Sequence, residues 1–255
     1  MNQLTQSETD HFQQTGWLLT DIFSESNIAE IKTWVADVAS WPDTPGQWLH
    51  YRELTAEGPQ LCRSENLIPY HEGLRSLLTA GPMLAIASDL LGQQAVLYKE
   101  KINYKLVGGA GYAPHQDAPA YPFIDSHVSC MIAIDDSTID NGCLEVVDAQ
   151  HASVLPMNDA GCIAEAVVAS MHWNSVDVPA GGVLWFHSKT PHRSGPNHSA
   201  NPRRALYPTY NALSEGDLRD AYYREKLARF AQSEGREDGL VQVSLINDFQ
   251  GRPVV

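Results

Sequence analysis

Basic residues are scarce in this chain. Seventeen Lys and Arg face thirty-one Asp and Glu, a formal charge of −14. No run of them forms a stripe that could track phosphates, which makes a nucleic-acid polymer a poor partner. Small anions stay open, because the local charge of a pocket can oppose the global sign. Cysteine is also sparse: Cys62, Cys130, Cys143 and Cys162 are scattered without C-x-x-C spacing, and free thiols are expected. The N-terminal stretch MNQLTQSETDHFQQTG lacks an apolar signal region, and no apolar run is long enough to span a bilayer. A soluble, cytoplasmic protein without a membrane partner is the expectation. Internal repeats and low-complexity linkers are missing too, which leaves one domain.

What is present supports a sizeable core, with 43% hydrophobic residues. Ile28, Ile31, Val35 and Val38 have helical spacing within Ser26–Trp41, with Ser24 or Ser26 as the cap. A second helical stretch runs from Leu74 to Leu91, with Pro82 as a break or new first turn and Gly92 as a stop. Trp41–Asn66 shows no periodicity and reads as a long loop, a candidate lid. From Ala95 the texture becomes β-like. Strands are expected at Ala95–Leu106, His127–Ile134, Gly142–Val147, Val176–Val178, Val183–Phe186 and Ala205–Asn211, with a late one at Val241–Ile246. A charged amphipathic helix follows over Glu215–Ala231. The organisation is a helical layer and lid at 1–94, a β core at 95–211, and a C-terminal helix and tail at 212–255.

His115 and Asp117 lie two apart just after a predicted strand, so alternation can point both to one side. His192 follows a second strand seventy-five positions beyond Asp117. Two imidazoles and one carboxylate suit non-haem Fe(II) with open coordination positions. Zinc in a hydrolase is a rival on ligand type, and an isolated H-x-D arises often by chance. Of the other histidines, His187 reads as a rim residue, and His127, His151, His172 and His198 as structural or surface.

Pro114-His115-Gln116-Asp117, Asn141-Gly142-Cys143-Leu144, Gly181-Gly182, Phe186, His192, Ser194-Gly195-Pro196-Asn197 and Arg203 stand in one order and spacing. Arg63-Ser64-Glu65-Asn66 adds a weaker echo. Together they resemble the phytanoyl-CoA dioxygenase family of Fe(II)/2-oxoglutarate oxygenases over about Ala95 to Asn211. The resemblance implies a mainly β protein, a double-stranded β-helix (jelly roll) with helices packed on one sheet. It implies His115, Asp117 and His192 as iron ligands, with 2-oxoglutarate and O2 as co-substrates. Arg203 would anchor the distal carboxylate of 2-oxoglutarate bidentately, helped by Ser194, while Arg204 would be a solvated surface residue. Related halogenases have a small residue at the position of Asp117, so a carboxylate there favours hydroxylation. A non-catalytic jelly-roll binding protein is the remaining alternative, and neither it nor a zinc hydrolase needs Arg203.

Substrate clues lie in Lys99-Glu100-Lys101-Ile102-Asn103-Tyr104-Lys105. Alternation puts Lys99, Lys101, Asn103 and Lys105 on one face. That face either supplies donors to an anion or guards an exposed edge with lysines. Trp41, Trp48, Tyr51, Tyr112 and Tyr121 are candidates for an aromatic cage around an ammonium group. A small zwitterion is the expected substrate. The stretch resembles bacterial aminoalkylphosphonate hydroxylases of the same family, which act next to phosphorus in 2-aminoethylphosphonate or its N-trimethyl analogue. A large acyl-CoA finds no matching site.

Overall fold

The computed structural model describes residues 3–55, 58–121, 124–233 and 253–254. In chain order the elements are α1 (Gln6–Thr15), β1 (Trp17–Asp21), α2 (Glu25–Ser40), β2 (Leu49–Thr55), β3 (Gly58–Glu65), α3 (Glu72–Thr79) and α4 (Gly81–Leu91). Then come β4 (Ala95–Lys105), β5 (Gly111–His115), β6 (His127–Ala133), β7 (Leu144–Val146), α5 (Glu165–Val168), β8 (Asn174–Val176) and β9 (Gly182–His187). β10 (His192–Ser194), β11 (Arg203–Ala212), α6 (Arg219–Ser233) and β12 (Pro253–Val254) complete the chain.

Among the described residues the strands form two antiparallel sheets. One has seven strands in the order β1-β9-β6-β11-β4-β3-β2, the other five in the order β12-β5-β10-β7-β8. Alternation along the strands divides the core in two. Met131, Ala133, Leu184, Phe186 and Ala205 cluster with Leu144, Val146 and Val176 of the smaller sheet. Cys130, Ile132, Val183, Trp185 and Leu206 take the opposite face, under α2, α3 and α4. This is the expected jelly roll with helices on one sheet.

The helices form where the sequence marks them. Ser24 caps α2 through a reciprocal box with Asn27, and Ile28, Ile31, Val35 and Val38 are its buried stripe. Leu74–Leu91 splits into α3 and α4 near Pro82, with Gly92 left-handed (φ +67°) as the stop. Glu72–Leu91 is long and apolar enough by length and composition to cross a membrane, although no span was expected there. Its Leu74, Leu78, Met83 and Ile86 pack in the core instead.

Three expectations need correcting. The β core is not confined to 95–211, because β1, β2 and β3 from the N-terminal part join the large sheet. Trp41–Asn66 is not a long loop: most of it is the β2–β3 hairpin, paired to β4 through Arg63↔Asn103 and Glu65↔Lys101. A register shift between Tyr51 and Arg52 interrupts its alternation, which is why no period of two was visible. Finally, β4 is no exposed edge guarded by lysines, since it lies between β11 and β3 and is buried. The strand expected at Val241–Ile246 lies outside the described residues.

Helix α6 docks onto this frame through charge. Glu100, fully buried on β4, accepts from Arg219 (Nη2, 2.6 Å; Nε, 3.1 Å) and from the backbone amides of Leu67 and Ile68 at 2.7 and 3.1 Å. Tyr223 hydroxyl donates to the Glu100 carbonyl at 2.7 Å. Removing one member of such a pair strands a buried charge. Arg219→Ala is therefore expected to cost about 3–5 kcal/mol of stability in urea unfolding. A loss below about 1 kcal/mol would show that water reaches Glu100.

Candidate metal centre and anion pocket

Strands β5 and β10 pair with His115 directly opposite His192. The two imidazoles face each other with centroids 4.2 Å apart. This close approach is permitted by Gly111, where a Cβ would fall 2.1 Å from the Ser194 carbonyl oxygen. One step past β5 the side chain of Gln116 turns away, and its amide ties the loops together. It donates to the Lys189 and Ser153 carbonyls and accepts from Leu155 N–H. Asp117 then points back toward the imidazoles, as alternation requires.

The ligand atoms of His115, Asp117 and His192 all lie within 4.8 Å of one another, and all three residues are buried. Their hydrogen bonds set them up for a cation. His115 Nδ1 donates to the Ala113 carbonyl (2.7 Å) and His192 Nδ1 to that of Thr190 (3.0 Å), which puts the lone pair of each ring on Nε2. Ser129 hydroxyl donates to Asp117 Oδ2 at 3.0 Å. Burial, aided by His192, pushes His115 down to about 3. Burial alone would raise Asp117, but His192, His115, Lys99 and Lys101 outweigh it and hold the carboxyl at about 2. A neutral imidazole beside an ionised carboxylate is the state a divalent metal requires.

The same cavity receives Arg203, Ser194, Lys101 and Asn103. Arg203 is buried at the start of β11; its Nη2 donates to the Gly142 carbonyl (3.1 Å) and its Nε has no hydrogen-bond partner. Arg204 alternates outward and pairs with Asp135 through two contacts of 2.8 Å. The two arginines thus divide as expected. Lys105 joins the Arg203 end, donating to Ser194 Oγ (3.0 Å) and to the carbonyls of Gly142 (3.1 Å) and Gly195 (2.6 Å). Burial and the Arg203 charge push Lys105 down to about 7. Gly142 (φ +73°) has no room for a Cβ, which would sit 2.3 Å from the Gly195 carbonyl. Asn197, fully buried, donates to the Lys105 and Asn201 carbonyls and holds the same corner.

Sequence reasoning misses two residues here and the place of a third. Lys105 is on the face that alternation predicts, but its position at the Arg203 end has no signal in the sequence. Arg63, only an echo in a motif, reaches Asn103 (3.3 Å) and the Tyr112 hydroxyl (3.5 Å). Glu53 lines the cavity from a segment read as a loop. The remaining histidines stay out of the metal group. His127 is buried beside Tyr121 with neither ring nitrogen hydrogen-bonded, and His187 accepts from the Lys189 amide.

The aromatic cage is not built. Trp41 and Trp48 stack on each other (4.6 Å) against His71 and Tyr70, packed on the helical core. Tyr51 and Tyr121 carry the protein's own cations, Arg63 and Lys226 over the first and Lys99 over the second. Of the five, Tyr112 alone is among the described cavity residues, and Lys105 lies over its ring.

Comparison with known proteins agrees with this geometry. The family model for phytanoyl-CoA dioxygenase matches residues 12–205. Methylphosphonate hydroxylase of Gimesia maris is 42% identical over 252 residues, covering 98% of this chain and 97% of its own. A 2-aminoethylphosphonate dioxygenase from an uncultured bacterium is 35% identical over 245 residues, 94% of each. Among solved structures, EctD from S. alaskensis with 2-oxoglutarate and 5-hydroxyectoine superposes with a TM-score of 0.75 at 19% identity. It covers 84% of this chain and 78% of its own.

His115→Ala, Asp117→Ala and His192→Ala are each expected to lose tight binding of a divalent transition metal while the protein stays folded. Anaerobic Co(II) titration with circular dichroism checks both halves. A variant that binds metal like the wild type removes its residue from the site.

Proposed function

The chain belongs to the phytanoyl-CoA dioxygenase family, and we propose that it hydroxylates the carbon next to phosphorus in a small zwitterionic phosphonate, 2-aminoethylphosphonate or its N-trimethyl analogue. It is a 2-oxoglutarate-dependent dioxygenase of the non-haem iron type. Bound in the cavity, Fe(II) with 2-oxoglutarate and O2 supplies the oxidation that turns C–H into C–OH, with release of succinate and CO2. In this reading His115, Asp117 and His192 hold the iron.

The observation behind it is that two separate sets of donors flank one triad. Arg203 has an unused Nε, and with Lys105 and Ser194 it suits the distal carboxylate of 2-oxoglutarate. Lys99, Lys101 and Asn103 line the cavity from the middle of β4 and suit a second, more highly charged anion. The two relatives above that match nearly the whole chain are a methylphosphonate hydroxylase and a 2-aminoethylphosphonate dioxygenase, which supports that choice. A zinc hydrolase or a binding module leaves Arg203 unexplained, a buried cation with an unsatisfied donor.

The residues also exclude water and fix geometry. Ser129, itself bonded to Thr209 at 2.9 Å, steadies Asp117, while Phe186 packs on His192 at 4.8 Å. Holding the substrate's phosphonate on Lys101 and Asn103 would keep its neighbouring carbon near the metal, which is where positioning contributes to rate.

Succinate release should rise strongly with a small aminoalkylphosphonate and scarcely with a fatty acyl-CoA. Stimulation by some other small metabolite alone would overturn the phosphonate reading. Arg203→Ala should weaken 2-oxoglutarate binding by on the order of 2–5 kcal/mol, and Arg204→Ala far less. Anaerobic titration of the visible band of the Fe(II) chelate measures this, and equal losses would refute the assignment. Lys105 must be protonated to help a carboxylate, and its pKa in the free protein is about 7. Affinity for 2-oxoglutarate should accordingly fall as pH rises above 7, by up to about tenfold per unit. Lys105→Met should flatten that dependence.

A further inference from the structure

The described lining of the cavity contains two carboxylates, Asp117 and Glu53. Asp117 belongs to the metal triad. Glu53, on β2, is half-buried, and its carboxylate has no hydrogen-bond or ion-pair partner among the described residues. That sets it apart from other partly or fully buried carboxylates of the protein. Glu65 pairs with Lys226 at 2.5 Å, Glu100 with Arg219 at 2.6 Å, Glu145 with Arg193 at 2.6 Å and Asp135 with Arg204 at 2.8 Å. Burial raises the pKa of the Glu53 carboxyl, as expected for a charge left without a partner.

We propose that Glu53 receives the ammonium group of the substrate, so that the enzyme selects a primary aminoalkylphosphonate over a phosphonate without a cation or with a quaternary one. This rests on the phosphonate reading above and names which phosphonate. β2 lies two strands from β4 across β3, roughly 10 Å between strand axes, and Glu53 pairs with Gln60, three residues along β3 from the Arg63↔Asn103 pair, which adds roughly another 10 Å along the strands. That distance is shared by the long side chains that reach into the cavity, Lys101 and Asn103 from one end and Glu53 from the other, so a small molecule with opposite charges at its two ends can bridge them. A primary ammonium gives a carboxylate charge-assisted hydrogen bonds. A quaternary one has no N–H and wants open aromatic faces. Three of the four aromatic residues lining the cavity are engaged, with Lys101 over Tyr207, Lys105 over Tyr112 and Phe186 packed on His192, and the fourth, Tyr104, alternates to the opposite face of β4 from the lysines.

The test is kcat/KM for 2-aminoethylphosphonate, its N-trimethyl analogue and methylphosphonate, in the Fe(II)-loaded wild type and in Glu53→Gln and Glu53→Lys. The wild type should prefer the primary amine over both others by at least tenfold. In Glu53→Gln the ratio of primary amine to methylphosphonate should fall tenfold or more, and in Glu53→Lys further still. A wild type that prefers methylphosphonate or the quaternary analogue overturns the inference without any variant, as does an unchanged ratio in Glu53→Gln. Either result leaves hydroxylation next to phosphorus in a phosphonate standing, while a preference for methylphosphonate removes the zwitterion from that reading. Failure of all three compounds to stimulate succinate release would overturn both.

Discussion

Lys99, Lys101 and Lys105 are kept from water on one face of β4, with Asn103 half-buried among them, while Tyr98, Glu100, Ile102 and Tyr104 are kept from it on the other. A strand with charge on both faces is costly to bury unless each charge is answered. On the outer face the answer comes from the protein, as Arg219 and two backbone amides close around Glu100. On the inner face lysine protons find backbone carbonyls, hydroxyls and tyrosine rings, with Asp117 alone among the described cavity carboxylates close to the metal position. The inner face thus holds an excess of positive charge inside a chain whose overall charge is −14. A cavity of that kind is matched by anions, which is what a co-substrate carboxylate and a phosphonate both are.

The placement of the metal ligands follows from the same sandwich. The smaller sheet carries His115 and His192 on adjacent strands, and the larger sheet supplies Ser129 and Thr209 from across the interior. Neither sheet makes the site alone. The motif glycines and asparagines stand at the corners where the two meet. Gly111 lets β5 approach β10, and Gly142 leaves room for Lys105 and for the Gly195 carbonyl. Such positions explain why short turn motifs accompany the ligands in the pattern this chain shares with its family.

Much of this was readable beforehand, and for definite reasons. A helix stripe such as Ile28, Ile31, Val35 and Val38 reports its own burial, because a period of 3.6 has no other source. His115 and Asp117 share a side because strand alternation is a local rule. The split between Arg203 and Arg204 follows from the same rule once the strand is known to start there. The hairpin of β2 and β3 was missed because its register shift erases the pattern that reveals strands. The aromatic cage failed for another reason: composition gives a count of rings, but not which rings already carry the protein's own cations.

By itself, the sequence determined the class of fold, the grouping of His115, Asp117 and His192, and which of Arg203 and Arg204 turns inward, since each depends on spacing within one or two segments. Only the tertiary structure decided which face of β4 looks inward, because burial of a strand is set by its neighbours on both sides. It also decided that Lys105 lies beside Arg203 and that Glu53 shares their cavity. Those relations join residues from β2, β4 and β11, and no local rule connects segments that meet only when the sheet closes.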